Sequence, residues 1–385
     1  MKNKFTLTLF FIIGSALTLL ANDGAFFAKG NHLVPINNKN ISLKKEILKI
    51  KINGPYAFID VYYELYNPGK EEKVLVGFEA ASASGDVDGT PKKGKHPYIS
   101  DFTVRMNDKP LNYKVAIVSH ETYIKNGIIN KLTGDQLKKT LHPENVNEVG
   151  FNYVYHFDAN FKPGLNIIKH TYRFQTGVSI DMESSIEYIL TAANRWANKQ
   201  IDDFTLIIEN DKTQRWVMFN SFFKQGNEWE ITGRSKIVNL QRFWDFAVFQ
   251  ETKFKSTLFT MDKRSTITFK KRNFHPKAEL FLFVPKDHLM TAYWEKEHMN
   301  LSKVFDAQKV YLNFHFDDIT IKPKDDFSRR VLYNHPFAKR GYVFTDKRLK
   351  DYYEKIDWYV PDPNYVPKIE ALQNFEKKVV ERYSK

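Results

Sequence analysis

Residues 47–52 read Ile-Leu-Lys-Ile-Lys-Ile, and residues 57–65 read Ala-Phe-Ile-Asp-Val-Tyr-Tyr-Glu-Leu. In the first stretch Leu48, Ile50 and Ile52 share one face, and Lys49 and Lys51 point away. Ala57, Ile59, Val61, Tyr63 and Leu65 repeat the pattern before Asn67-Pro68-Gly69 ends it. Side chains alternate across a strand, so a period of two marks strands with one buried and one wet face. Val74, Val76 and Phe78 continue it. Residues 81–100 hold no period and read as a mobile loop. Phe102, Val104 and Met106, the turn Asn107-Asp108-Lys109-Pro110, then Leu111, Tyr113, Val115 and Ile117 read as a hairpin.

Further strands are expected at 151–157, 168–174, 186–191, 204–209, 215–220, 228–232, 236–240, 265–270 and 279–284. So many short strands predict a mainly β chain with an antiparallel, β-sandwich-like body. Thr133-Gly134-Asp135-Gln136 fits a capping box for a short helix that His142-Pro143 stops. After about residue 286 the pattern turns helical, at 288–299, 304–311 and 326–357. Thr345 reads as the N-cap of 346–355. Pro367 sits near the start of a final helix with Ile369, Leu372, Phe375, Val379 and Tyr383 on one side. The expected organisation is a leader at 1–21, a β-rich region at 22–285, a mixed connection at 286–325, a small helical module at 326–367 and a C-terminal helix at 368–385.

The chain has 385 residues, which favours more than one core. An aromatic content of 15% excludes a largely disordered chain. The complete lack of cysteine excludes thiolate zinc sites, iron–sulfur clusters, cysteine nucleophiles and disulfides. Lys2 and Lys4, the apolar run Phe5 to Leu20 and Ala21 have the layout of a secretory leader. The protein is therefore expected to be exported, to the periplasm or beyond, without a lipid tether. Removal of the leader takes two lysines with it, and the net charge falls from +13 to +11. Export makes nucleic acid the wrong partner for this charge and points it at anionic envelope surfaces, with membrane contact peripheral at most.

Two resemblances add to this. The segments Val61-Tyr62-Tyr63-Glu64-Leu65-Tyr66-Asn67, Phe102-Thr103-Val104, Lys169-His170-Thr171-Tyr172-Arg173-Phe174 and Tyr188 through Trp196, in that order, resemble an exported bacterial family known only as domain of unknown function 4424. That family implies no activity and no site residues. Residues 326–367 resemble the YARHG module, a small helical domain of extracytoplasmic proteins. The five eponymous positions read Phe337-Ala338-Lys339-Arg340-Gly341, with Asn334 before them and Tyr342, Phe344 and Trp358-Tyr359 after. The histidine is absent, so no histidine role transfers. Pro336 implies that the helix begins near Asn334 or kinks there. The resemblance implies a surface ligand, for which Lys339, Arg340, Tyr342, Trp358 and Tyr359 are the candidate residues. A structural role competes: Gly341 can end a helix in the left-handed conformation, and Trp358 can fill a core.

No catalytic constellation stands out. Glu295-Lys296-Glu297-His298 and His315-Phe316-Asp317-Asp318 lack compact metal-ligand spacing, and Asp86-Val87-Asp88-Gly89 is half a calcium loop with Pro97 where the closing glutamate belongs. No cofactor is expected. The leading expectation is a non-enzymatic envelope protein that binds a cell-wall or anionic surface glycan. A glycan hydrolase with carboxylates across the sandwich, or an assembly partner of another envelope protein, are the alternatives.

Overall fold

The structure is a computed structural model that describes residues 26–27, 29–31, 33–36, 40–85, 87–119, 123–125, 128–141, 150–240, 255–263, 265–286, 304–312, 314, 316 and 319–385. The leader at 1–21, Asp86, His142-Pro143, the helix expected at 288–299 and both His/acid clusters, Phe316 excepted, lie outside the described residues.

The two opening stretches form the strands Ser42–Asn53 and Tyr56–Asn67, joined by the two-residue turn Gly54-Pro55. Gly54 takes φ +55°, a conformation that favours glycine in a tight hairpin turn. These strands occupy the middle of an eight-stranded sheet. Its order is Trp229–Thr232, Thr266–Phe274, Ile201–Asn210, Ser42–Asn53, Tyr56–Asn67, Gly164–Gln175, Ile99–Met106 and Lys109–Pro110. All neighbours run antiparallel except Ser42–Asn53 and Ile201–Asn210, which pair in parallel across about 150 residues of chain. A four-stranded sheet (Lys114–Ser119, Phe151–Phe161, Glu72–Ala81, Leu33–Pro35) and a six-stranded sheet (Ser235–Leu240, Ser256–Met261, Gln214–Phe219, Leu280–Pro285, Met182–Ile189, Lys29–Asn31) complete the body.

The alternating residues do what their period requires. Leu48, Ile50, Ile52, Ala57, Ile59, Val61, Tyr63 and Leu65 are buried in one core shared by all three sheets. The six-stranded sheet breaks the alternation, because all of Ser256–Met261 and all but Gln214 of Gln214–Phe219 are buried. Val217, Leu258 and Phe283 pack in a second cluster on its other face, so this sheet is covered on both sides.

Several expectations are corrected. Asn107 and Asp108 both take positive φ and turn Met106 onto Lys109, but the hairpin ends at Pro110. The strand Lys114–Ser119 then leaves for the four-stranded sheet and pairs with Phe151–Phe161. The 81–100 segment is tied down rather than loose. Buried His96 has its Nε2 3.0 Å from the Ala81 carbonyl, accepts the Tyr98 amide on Nδ1, and packs 4.9 Å from the Tyr153 ring. The 304–311 segment is a short strand, Val304–Phe305, followed by a turn in which Asp306 accepts the Gln308, Lys309 and Val310 amides.

Four helices are described: α1 (Gly134–Leu141), α2 (Asp326–Ala338), α3 (Lys347–Glu354) and α4 (Asn374–Arg382). Asp325 caps α2, which begins well before Asn334 and runs through Pro336. Asp346, not Thr345, caps α3 by accepting the Leu349 amide. The final helix opens later than Pro367 suggests, at a capping box between Gln373 and Glu376, and leaves Ile369 and Phe375 exposed.

The sandwich core encloses polar groups. Glu46 is fully buried, and burial raises its carboxyl well above the usual range. His170 lies between the Tyr63 and Tyr172 rings, 5.8 and 5.6 Å away, and its Nε2 is 3.5 Å from the Tyr63 hydroxyl. Burial pushes its imidazole down to about 3, and that of His96 down to about 4. Unfolded, both titrate near 6.5. Below that pH the unfolded chain takes up protons that the folded core refuses, so their contribution to stability falls as pH drops toward the folded values. Glu46 acts in the opposite sense, because its folded value is raised: its contribution falls as pH rises past 4.5. Replacing His170→Phe should therefore make the acid limb of stability shallower by one proton, about 1.4 kcal/mol per pH unit. Urea titrations from pH 7 to pH 4 would check this, and an unchanged slope would contradict it.

Candidate functional site

The C-terminal helices build a second core. Phe305, Ala307, Leu312, Ile321, Val331, Leu332, Phe344, Leu349, Tyr353, Ile356, Trp358 and Val379 are among its buried members. Helix α2 ends in a Schellman arrangement: the Tyr342 amide bonds the Phe337 carbonyl, and the Gly341 amide bonds that of Ala338. Gly341 takes φ +85° there. Its carbonyl also accepts the Asp362 amide at 2.6 Å, and a Cβ at this position would stand 2.6 Å from the Val360 oxygen. The end of α2 and the 360–362 segment are thus locked together by one glycine.

This second core docks on the end of the six-stranded sheet. The Lys236 ammonium, half-buried, donates to the Glu354 carbonyl at 2.8 Å and to the Ile356 carbonyl, at the C-terminal end of α3. A cation suits that end of a helix, where unpaired carbonyls carry partial negative charge. Thr260 donates its hydroxyl to the Asp357 carbonyl at 3.2 Å. Arg234 links Asp262 of the sheet to Asp362 of the helical core, 3.1 Å away. Asp357 is buried, which raises its carboxyl, while the nearby positive charges of Arg215 and Lys236 oppose the rise.

Between these contacts lies a cleft of about 1010 Å³. That volume falls at the upper end of what small-molecule sites occupy. The six-stranded sheet supplies Arg215 from its strand Gln214–Phe219, and the turns that lead into or out of its strands supply Lys212, Arg234 and Lys263. The helical core supplies Phe314, Lys339, Arg340, Trp358 and Tyr365. The Phe314 ring is approached by cations from both bodies, with the Arg215 guanidinium 5.3 Å and the Lys339 ammonium 4.7 Å from its centre. Six basic side chains line the cleft, against the acids Glu183, Asp262 and Asp362. Asp262 and Asp362 are both engaged by Arg234. Lys212 and Lys263 are exposed and make no ion pair among the described residues.

The residues singled out from the sequence separate into two groups. Lys339, Arg340 and Trp358 line the cleft. Arg340 is bound at both nitrogens to Glu376, at 2.9 and 2.6 Å, and also holds the Pro336 carbonyl. Trp358 is buried, and its indole donates to the Leu312 carbonyl at 2.9 Å. Tyr342 and Tyr359 do not line the cleft. The Tyr359 hydroxyl donates to the Tyr342 carbonyl at 2.7 Å, and both rings pack on Phe344. The cations contributed by the sheet were not legible as a motif, because Lys212 and Arg215, Arg234 and Lys263 come from three segments distant in sequence that only the tertiary fold brings together.

Comparison with known proteins follows this division. Residues 317–385 match the YARHG domain, so the chain closes with a YARHG domain. Among solved structures, a Legionella pneumophila protein provisionally described as a nutrient binding protein matches at 15% identity with a TM-score of 0.50. The alignment covers 94% of this chain and 99% of that one. At that identity the likeness is one of fold. No curated protein matches the chain.

Gly341→Ala should destabilise the protein by about 1–3 kcal/mol, because the new methyl meets both a left-handed backbone and the Val360 carbonyl. Denaturant unfolding would check this. A change within about 0.5 kcal/mol, the usual range for surface substitutions, would contradict it.

Proposed function

We propose that the protein is an exported, non-enzymatic binding protein of the cell envelope, and that the cleft between the six-stranded sheet and the YARHG domain receives an acidic sugar or glycan fragment. The cleft carries this reading. It has the volume of a small-molecule site, an excess of basic groups, and two lysines at its lining that pair with no acid among the described residues. The half-buried rings of Phe314 and Tyr365 at the lining suit a ring that bears a carboxylate or phosphate. Export is supported by the leader-like residues 1–21 and by the YARHG domain at 317–385. A binding role is in keeping with the description given to the Legionella pneumophila protein of similar fold.

The hydrolase alternative finds little support in the lining. Asp262 and Asp362 are spent on Arg234, and Glu183 is exposed. Asp357, the carboxyl that burial raises here, does not line the cleft. A glycosidase needs a protonated acid and a second carboxylate facing the same bond.

Calorimetric titration of the whole protein with monosaccharides and disaccharides bearing a carboxylate or phosphate tests the proposal, with their neutral parents as controls. Acidic members should bind and neutral parents should not. Lys212→Ala with Lys263→Ala should weaken binding about tenfold and flatten its salt dependence. No binding by any acidic member at low salt, or equal binding of the neutral parents, would sink the proposal.

A further inference from the structure

A second surface, the outer face of the eight-stranded sheet, has no part in the cleft. The eight-stranded sheet buries one face in the core, and the other face carries a row of aromatic side chains along its central strand Tyr56–Asn67. Tyr56, Phe58 and Tyr66 are 37%, 38% and 41% exposed, and Leu165, which faces Tyr66 in register, is 54% exposed. Tyr62 stands in the same row, half-buried. Alternate residues of one strand share a face, so the row from 56 to 66 is about 33 Å long. Large apolar rings at the centre of a solvated sheet face are costly to leave in water and mark an interaction site when they are aligned.

Three of the rings each have a cation over one face, and among the described residues the Phe58 ring has none. Arg173 lies 5.1 Å from the centre of Tyr56, Lys169 lies 5.9 Å from that of Tyr62, and Lys44 lies 5.9 Å from that of Tyr66. Those cations are in turn matched by acids. Lys44 pairs with Asp202 at 2.8 Å, Arg173 with Asp101 at 2.7 Å, and Lys169 with Asp108 at 3.7 Å. The neighbouring Lys49 pairs with Glu209 at 2.8 Å. The face is therefore rich in hydrogen-bonding groups but close to balanced in charge.

That balance decides the occupant. An anionic membrane is drawn by an unbalanced cluster of lysine and arginine, which these pairs do not provide. A protein partner favours an interface core depleted of charge, whereas here Asp60 and Glu64 interrupt the aromatic row. A polysaccharide strand fits both features. Each sugar ring has an apolar C–H face to lay on an aromatic ring and a rim of hydroxyls for charged and amide side chains. We infer that the outer face of the eight-stranded sheet is a platform for an extended, largely uncharged polysaccharide strand lying along Tyr56, Phe58, Tyr62 and Tyr66.

Co-sedimentation of the whole protein with insoluble chitin and with purified peptidoglycan sacculi tests this, beside vesicles of phosphatidylglycerol. The protein should sediment with at least one of the two glycans, and the binding should survive about 0.5 M NaCl, where charge attraction beyond a few ångströms is screened. The triple variant Tyr56→Ala, Phe58→Ala, Tyr66→Ala should weaken that binding about tenfold or more. Phe58→Ser alone should weaken it in the same direction, and unchanged melting of either variant shows that the loss is not one of folding. Failure to sediment with both glycans would overturn the inference. So would undiminished binding by a folded triple variant, or sedimentation with the vesicles alone that salt abolishes.

Discussion

The arrangement of this molecule depends on how one lysine finishes a helix in another body. Lys236, on the six-stranded sheet, donates to the last carbonyls around α3. The ammonium is half-buried and desolvation lowers its pKa, so the contact holds only because those carbonyls and the nearby Asp357 charge replace the lost water. Thr260 and the Asp262–Arg234–Asp362 bridge extend the same seam. Were this seam to open, the two walls of the cleft would part, and Phe314 would no longer stand between Arg215 and Lys339. The candidate site is thus a product of docking and belongs to neither core alone.

A chain without cysteine has no covalent staple, and the fold compensates with a large continuous core. The eight-stranded sheet joins distant segments through the parallel pairing of Ser42–Asn53 with Ile201–Asn210, and the aromatic residues concentrate inside it. The same core shelters Glu46 and His170, and burial pushes both toward their uncharged forms, raising the carboxyl and lowering the imidazole. At the surface the economy is reversed. Most lysines and arginines of the sheet face are matched by acids, and Lys212 and Lys263 at the cleft are exceptions among the described residues.

Much of the fold was legible in the sequence, because alternation is a local signal. The residues from Leu48 to Leu65 announce their faces directly, and the seven strands expected after residue 180 fall within a few residues of their expected positions. Ser256–Met261 was not among them, because every one of its residues is buried and it shows no alternation. What failed was decided by contacts distant in sequence. The strand Lys114–Ser119 reads as a hairpin arm, yet its partner is Phe151–Phe161. The 81–100 segment lacks periodicity, yet His96 and the Tyr155 hydroxyl pin it. Helix α2 runs through Pro336 because the proline falls in its last turns, where one missing amide bond is tolerable. The candidate site was legible only on one wall. Lys339, Arg340 and Trp358 lie in a recognisable module, while Lys212, Arg215, Arg234 and Lys263 share no motif.

The absence of cysteine also makes the central claim directly measurable, since spin labels can be placed without removing any native thiol. Labels at Lys212→Cys and Asn364→Cys would stand on the two walls of the cleft. Double electron–electron resonance should return a single narrow distance distribution for this pair. Adding Arg234→Ala and Lys236→Met should broaden it as the seam loosens. A broad or two-peaked distribution before those substitutions, or a narrow one unchanged after them, would contradict the docked arrangement on which the cleft depends.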